Sequence, residues 1–220
     1  RADTARERFR AALAEDSEQP LAHLGLGLAL IRGGALALGR RSLEVAATLD
    51  PTRSLLRSYL GKAFFSERRD GRAATQLAIA RELDPRDPTP WLYDAIRRQL
   101  DNRPVAALRD LERSIELNDN RATFRSGLLL QQDTATRAVS LARIYDDLGF
   151  DELGRLEATR SLVVDPWSSA AHRFLSDVYS GQPRAERARV SELLQSQLLQ
   201  PLNADPVQPS LAFTDLNIVA

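Results

Sequence analysis

The chain has 220 residues, 43% hydrophobic and 27% charged, a balance that supports a buried core and excludes a disordered chain. Thirty basic residues offset thirty acidic ones, so nothing in the charge predicts binding to nucleic acid or to an anionic membrane. The absence of cysteine excludes disulfides, thiolate metal sites and a cysteine nucleophile in one step. It is also compatible with an oxidising compartment such as the periplasm. No apolar run approaches the roughly 18 residues that a membrane-spanning helix needs. The chain opens at Arg1 and holds no methionine, which reads as a processed or trimmed piece, so the lack of a leader carries no weight. Lys62 is the single lysine among many arginines, alanines and leucines, the accent of a GC-rich bacterial genome.

In chain order, Ala5, Phe9 and Ala12 mark a helix in 1–17, the second half of a partial unit. A unit at 20–51 follows, with Leu26, Gly27 and Leu30 on its first helix and Gly39, Leu43, Ala46, Leu49 and Pro51 on its second. The same pattern recurs 34 residues later at 54–85, through Leu60, Gly61 and Phe64, then Ala73, Leu77, Ala80, Leu83 and Pro85. The unit at 88–119 keeps Trp91, Ala95, Ala107, Leu111 and Ser114 but places Asp94 and Arg98 where large apolar residues belong. An insertion, ATFRSGLLLQQDT at 122–134, then breaks the period. Its Leu128–Leu130 triplet reads either as a short element packed on the array or as a lid over a groove. The pattern returns at 135–166 (Leu141, Ala142, Tyr145, then Gly154, Ala158, Ser161 and Pro166) and at 169–200 (His172, Leu175, Ser176, Tyr179), where the second helix drifts out of register. Small residues let paired helices approach, large ones fill the gaps, and each proline ends one unit and opens the next.

The last 20 residues, 201–220, carry Pro201, Pro206 and Pro209 and the apolar pieces SLAF and NIVA, which predict an extended course. Such a strip serves either as an exit line towards a downstream module or as a cap folded over the last helix pair.

Spacing and residue type recur together, and in both respects the chain resembles the tetratricopeptide repeat (TPR) family over most of residues 1–200. The resemblance implies an all-α, right-handed TPR superhelical solenoid of helix-turn-helix repeats, with about ten to twelve helices and no sheet in 1–200. In that family the groove is lined by fixed positions of each first helix. Carried over, they are Leu21, Leu24, Leu28 and Ile31 in the first unit, Lys62 and Phe65 in the second, and Leu92 and Ile96 in the third. Arg143, Asp146 and Asp147 follow in the fourth, and Arg173 and Asp177 in the fifth. Such a groove is apolar near the N-terminus and charged near the C-terminus. Its apolar end calls for a cover: a partner segment, upstream repeats or a second copy of the chain. Lys62 alone resembles the basic set with which some members grip a terminal carboxylate.

No constellation carries chemistry. His23 and His172 each fall on the fourth position of a first helix, where packing side chains belong. No HExxH, phosphate loop or GxSxG is present, and GLGLAL at 25–30 lies within a helix as a close-packing site. Asp146–Asp147 and Glu186–Glu192 read as solvated faces, and Trp91 as core. The expectation is a non-enzymatic chain with no catalytic residue, cofactor or metal ligand, working through protein partners in its groove or by self-association.

More narrowly, residues 86–220 resemble a bacterial family in which a TPR array precedes an outer-membrane β-barrel, akin to polysaccharide-export proteins. DPTPWLYDAIRRQLDNRPVAALRDLERSIELNDNRATFRS, LARIYDDLGFDELG, DPWSSAAHRFLSD and LLQPLNADPVQPSLAFTDLN carry that resemblance. It implies a periplasmic array that recruits partners or guides a polymer towards a pore. The alternative is a cytosolic adaptor that takes a peptide or helix in its groove.

Overall fold

The structure is a computed structural model that describes residues 2–118 and 130–200. The described residues form eleven helices and no strand. In chain order these are α1 (Ala2–Glu15), α2 (Pro20–Arg32), α3 (Leu36–Leu49), α4 (Ser54–Ser66), α5 (Asp70–Leu83) and α6 (Pro88–Leu100). They continue with α7 (Pro104–Glu116), α8 (Leu130–Asp147), α9 (Asp151–Val164), α10 (Ser169–Ser180) and α11 (Glu186–Leu198). The chain divides into two compact units, Arg1–Arg97 and Arg98–Ala220. The tail at 201–220 and residues 122–129 of the insertion lie outside the described residues. The insertion's last five residues, 130–134, are helical and open α8. Nothing between Leu130 and Thr134 breaks a helix, so α8 runs to 18 residues.

In the first unit α2 packs on α3 and α4 on α5, with α1 laid against α2. The small residues sit where the axes come closest. A Cβ on Gly27 would lie 2.8 Å from the Gly39 carbonyl oxygen, and one on Gly39 would lie 2.6 Å from that of Gly27. A Cβ on Gly61 would meet Leu77 Cγ at 2.8 Å. Phe9 of α1 fills the space over Gly25, where a side chain would strike its ring. In the second unit α8 packs on α9 and α10 on α11, with α7 against α8. There the site on Gly154 is closed by the Ala142 carbonyl oxygen, 2.8 Å away. Ala142 and Ala158 form one core with Phe174 and Leu175, so α8, α9 and α10 share an interior.

A feature of the turns escapes the apolar pattern. Within each pair the connection passes through a left-handed residue: Gly34 (φ 85°), Arg68 (φ 59°), Asn102 (φ 55°), Gly149 (φ 80°) and Arg184 (φ 66°). The next residue returns its N–H to a carbonyl five positions back in four of them. These bonds are Ala35 to Leu30 (2.9 Å), Arg69 to Phe64 (2.9 Å), Arg103 to Arg98 (2.9 Å) and Phe150 to Tyr145 (2.8 Å). This closes the exposed carbonyls at the helix end. Between pairs, the Asp of the Asp-Pro turn does a comparable job. Asp84 Oδ1 accepts from Arg86 N (2.9 Å) and Asp165 Oδ1 from Trp167 N (3.1 Å).

The irregular third unit is explained by charge. Asp94 is buried between Arg81, whose Nη2 donates to it, and Arg97 Nε at 2.7 Å. The Arg81 guanidinium also lies over the Trp91 ring, 4.3 Å from its centroid. In the second unit Arg98 Nε pairs with buried Asp110 at 3.1 Å. Ion pairs therefore take the place of the apolar residues that the pattern wants there.

Candidate functional site

The first helix of each pair positions the groove residues, and the structure sorts them by access. In the first unit Leu21 is exposed, while Leu28, Ile31, Lys62 and Phe65 are half-buried. Lys62 Nζ stands 5.5 Å from the Tyr93 ring centroid, and Tyr93 packs against Tyr59 with centroids 5.8 Å apart.

Three expected groove residues are corrected. Leu24 is only 8% exposed, because α2 is flanked by α1 as well as by α3. Leu92 is fully enclosed and Ile96 nearly so. The cause is α6 itself, buried at Pro88, Thr89 and Pro90 and again from Leu92 through Arg97, so no face of this stretch is left as a groove wall. The apolar wall expected at the N-terminal end is thus reduced to Leu21 with the partly covered Leu28 and Ile31.

In the second unit the charged set is accessible. Asp146, Asp147, Arg173 and Asp177 are exposed and Arg143 is half-buried. Asp146, Asp147 and Arg143 project from the last turns of α8, and Arg173 and Asp177 from α10, which packs on α8. Arg173 Nε donates to Asp177 Oδ1 at 3.3 Å, four residues apart on one helix face. Gln99 Nε2 donates to Asp147 Oδ2 at 2.7 Å, which brings the end of α6 to the same wall.

The five groups share one field. Partial burial pushes the Asp146 carboxyl above its ordinary value; the Asp151, Asp147 and Asp177 carboxylates push it the same way, and Arg143 pulls it back. Burial lowers Arg143, while Asp177 and Asp147 support its charge and Arg173 opposes it. Among the described residues, Asp146, Asp147, Asp151 and Asp177 outnumber Arg143 and Arg173 in this field, which leaves the wall short of positive charge.

The histidines take packing roles. His23 Nε2 donates to the Ser17 carbonyl at 2.9 Å and His172 Nε2 to the Pro166 carbonyl at 3.1 Å, each closing the turn before its helix. His172 Nδ1 also meets the Glu192 carboxylate of α11. Among the described residues, no three His, Cys, Asp or Glu side chains are placed to hold a metal ion. No described helix is long and apolar enough to cross a membrane.

A separate cleft of about 410 Å³ lies in the first unit among α3, α4 and α5. Ala47, Pro51, Leu60 and Phe64 line it, and Arg57 spans its edge to donate to Gln76 Oε1 at 3.1 Å.

No family model matches the sequence, and no curated protein matches it. Solved structures match its fold. The chain is similar to part of the crystal structure of the APC/C hetero-tetramer Cut9–Hcn1, with a TM-score of 0.77 at 15% identity. That match covers 99% of this chain and 40% of the other, so this chain spans well under half of that relative. A thermophilic TPR protein of Thermus thermophilus matches with a TM-score of 0.64 at 18% identity, over 90% of this chain and 91% of the other. YrrB, described as a TPR protein with an unusual peptide-binding site, matches with a TM-score of 0.52 at 17% identity, over 90% and 95% of the two chains. With the helix pairs described above, these likenesses establish an all-α, TPR-like solenoid fold.

Proposed function

We propose that this chain is a non-catalytic protein-interaction scaffold whose α8–α10 wall holds a basic segment of a partner. The observation that carries this reading is the grouping of exposed Asp146, Asp147, Asp177 and Arg173 with half-buried Arg143 on adjacent helices, where carboxylates outnumber guanidiniums among the described residues. A Lys or Arg side chain entering there supplies the missing charge and relieves the mutual repulsion felt at Asp146. YrrB, a fold neighbour, is described as binding peptide, which agrees with a peptide-sized partner here. The buried position of Leu24 moves the proposal away from the N-terminal wall.

The finer proposal is a place in the periplasm, as the TPR region of a bacterial outer-membrane export or assembly protein. It rests on the sequence resemblance of residues 86–220 and on the lack of cysteine.

The test is selection from a displayed random-peptide library, followed by binding measurements at two salt concentrations. Peptides rich in Lys and Arg should emerge, weaken with salt, and lose about tenfold in affinity to the Asp146→Asn/Asp147→Asn double variant. Selected peptides without basic residues, or with unchanged affinity for that variant, would overturn the assignment.

A further inference from the structure

His172 stands at a corner where both of its ring nitrogens meet oxygens that only accept. Nε2 faces the Pro166 carbonyl at 3.1 Å, and Nδ1 faces Glu192 Oε2 of α11 at 2.5 Å. A neutral imidazole carries one N–H, so it serves one of these oxygens and turns a lone pair on the other. The charged ring donates to both. The two side chains are only 12% and 23% exposed, so water is a poor substitute for a lost bond.

The first unit has the same corner, built with a cation that does not titrate. Arg57 is the fourth residue of α4, as His172 is of α10. Its Nε donates to the Pro51 carbonyl, six residues back, at 3.4 Å, and its Nη1 crosses to Gln76 Oε1 on α5 at 3.1 Å. In both pairs the carbonyl belongs to an Asp-Pro turn and the second acceptor to the partner helix. One side chain thus makes two donations in each pair. Arginine faces a neutral amide in α4–α5, and histidine faces a carboxylate in α10–α11.

Little else holds α11. Ser196 is its one buried residue, and Ser176 Oγ donates to the Arg189 carbonyl at 3.1 Å. The other charges on α11 and in the turn have their own places. Arg189 is tied to Glu186 at 2.5 Å, Arg187 is exposed, and Asp165 accepts from Trp167 N at 3.1 Å. On α8, Arg143 and Asp146 act on Arg173 and Asp177, which lie on a different flank of α10 from His172. Otherwise α8 and α9 meet α10 through the uncharged Val139, Ala142, Ala158 and Leu162. Among the described residues, Glu192 is therefore the charged group that answers the ring.

We propose that His172 and Glu192 form a pH-operated clasp, which docks α11 while the ring is charged and loosens it when the ring gives up a proton. The sign follows from the count of donors. The closed clasp uses both ring protons, so its stabilisation is complete while the ring is charged and is lost as pH rises through the ring's titration. Loosening uncovers Ser176 and the flank of α10 beneath α11. The α4–α5 pair is unaffected, because Arg57 keeps its charge.

Hydrogen exchange of the full chain between about pH 5 and 8, corrected for the intrinsic pH dependence of amide exchange, tests this. Protection of the α11 amides should fall about tenfold with rising pH, the worth of one charge-assisted hydrogen bond, while that of α4 and α5 stays constant. The fall should track the ring nitrogen shifts of His172, whose signals are those that vanish in His172→Arg. That variant copies Arg57 and should hold α11 at every pH. Glu192→Gln copies Gln76, and its amide can turn to donate to a neutral Nδ1, so α11 should stay docked and the pH response should disappear. Protection of α11 that does not fall with rising pH, or a fall that survives His172→Arg or Glu192→Gln, would overturn the proposal.

Discussion

In the α4–α5 pair both helices supply the interior: Leu56, Tyr59, Leu60, Ala63 and Phe64 from one, Ala73, Leu77 and Ala80 from the other. In the α10–α11 pair, α10 contributes Ala170, Ala171, Phe174 and Leu175, whereas Ser196 is the one buried residue of α11. Both pairs have the same plan and nearly the same helix lengths, so the difference lies in which residues meet the pairing face. The second helix α5 presents Ala, Leu and Ala at the close-packing positions. The corresponding helix α11 has no such row, and its Val190, Leu194 and Leu198 point outward. In a solenoid each pair is stabilised by itself and by its immediate neighbours, and among the described residues α11 packs mainly on α10. It belongs to the low-stability end of the structure.

The largest effects should separate these two helices. Leu77→Ala removes a fully buried side chain that closes over Gly61, and should cost about 2–5 kcal/mol. Leu194→Ala, at an exposed site of the same residue type, should stay within about 0.5 kcal/mol. Urea denaturation of both variants measures the contrast, and equal losses would mean that α11 is packed as firmly as α5. Hydrogen exchange should agree, with α11 amides exchanging well before those of α4 and α5.

Glycine replacements sharpen the comparison inside the well-packed pair. Gly61→Val forces a side chain against Leu77 Cγ and the Ala73 carbonyl oxygen, with a cost of about 1–3 kcal/mol. Gly71→Ala adds a methyl group where no atom lies within 4 Å of it, at a helical position, and should stabilise by about 0.4–1 kcal/mol. Opposite signs in the two melting-temperature shifts are the expected result. A stabilising Gly61→Val would deny the close approach of α4 and α5.

Much of this interior is written in the sequence, because a close helix crossing admits few residue types. Gly27, Gly39, Gly61, Ala73, Ala142 and Gly154 are all small where the pattern demands it, and the core forms around them. The turns were less legible. Gly34 announces a left-handed backbone, but Arg68 and Arg184 adopt one with no local signal, Arg68 beside the bond from Arg69 N to the Phe64 carbonyl. Burial of Leu24, Leu92 and Ile96 was not readable either, since it depends on how many sides of a helix its neighbours cover. The third unit departs from the pattern at Asp94 and Arg98, and only the fold shows that each is matched by a charge from another helix. For the candidate site, the residue types at Arg143, Asp146, Asp147, Arg173 and Asp177 were visible, whereas their common field follows from the packing of α8 on α10.

That field has a pH signature at the binding wall, another point of contrast with the uncharged interior of α4–α5. The Asp146 carboxyl is raised from an ordinary value of 3.8, so its proton is held to higher pH than usual. A cationic partner prefers the ionised form and draws this value back down, so binding releases a proton. Affinity should therefore rise with pH through the raised value, which lies above the ordinary 3.8, and level off beyond it. Asp146→Asn should flatten that part of the profile, and a profile unchanged by the variant would place the partner elsewhere.

A small and local effect concerns how the two first helices begin. Helix α10 has Ser168 at its N-cap, whose Oγ accepts from Ala171 N at 3.3 Å, while α4 follows Arg53 with no side-chain cap. The better-buried helix thus does without the local device that the less supported pair uses. Tertiary packing supplies α4 with what a cap supplies to α10. Removing the cap by Ser168→Ala should cost about 0.5–1 kcal/mol, at the low end of the usual range because the bond is long. The loss should appear as faster exchange of the first α10 amides more than as a lower global melting temperature. A cost near 2 kcal/mol would mean that α10 depends on its own start as much as on Phe174 and Leu175.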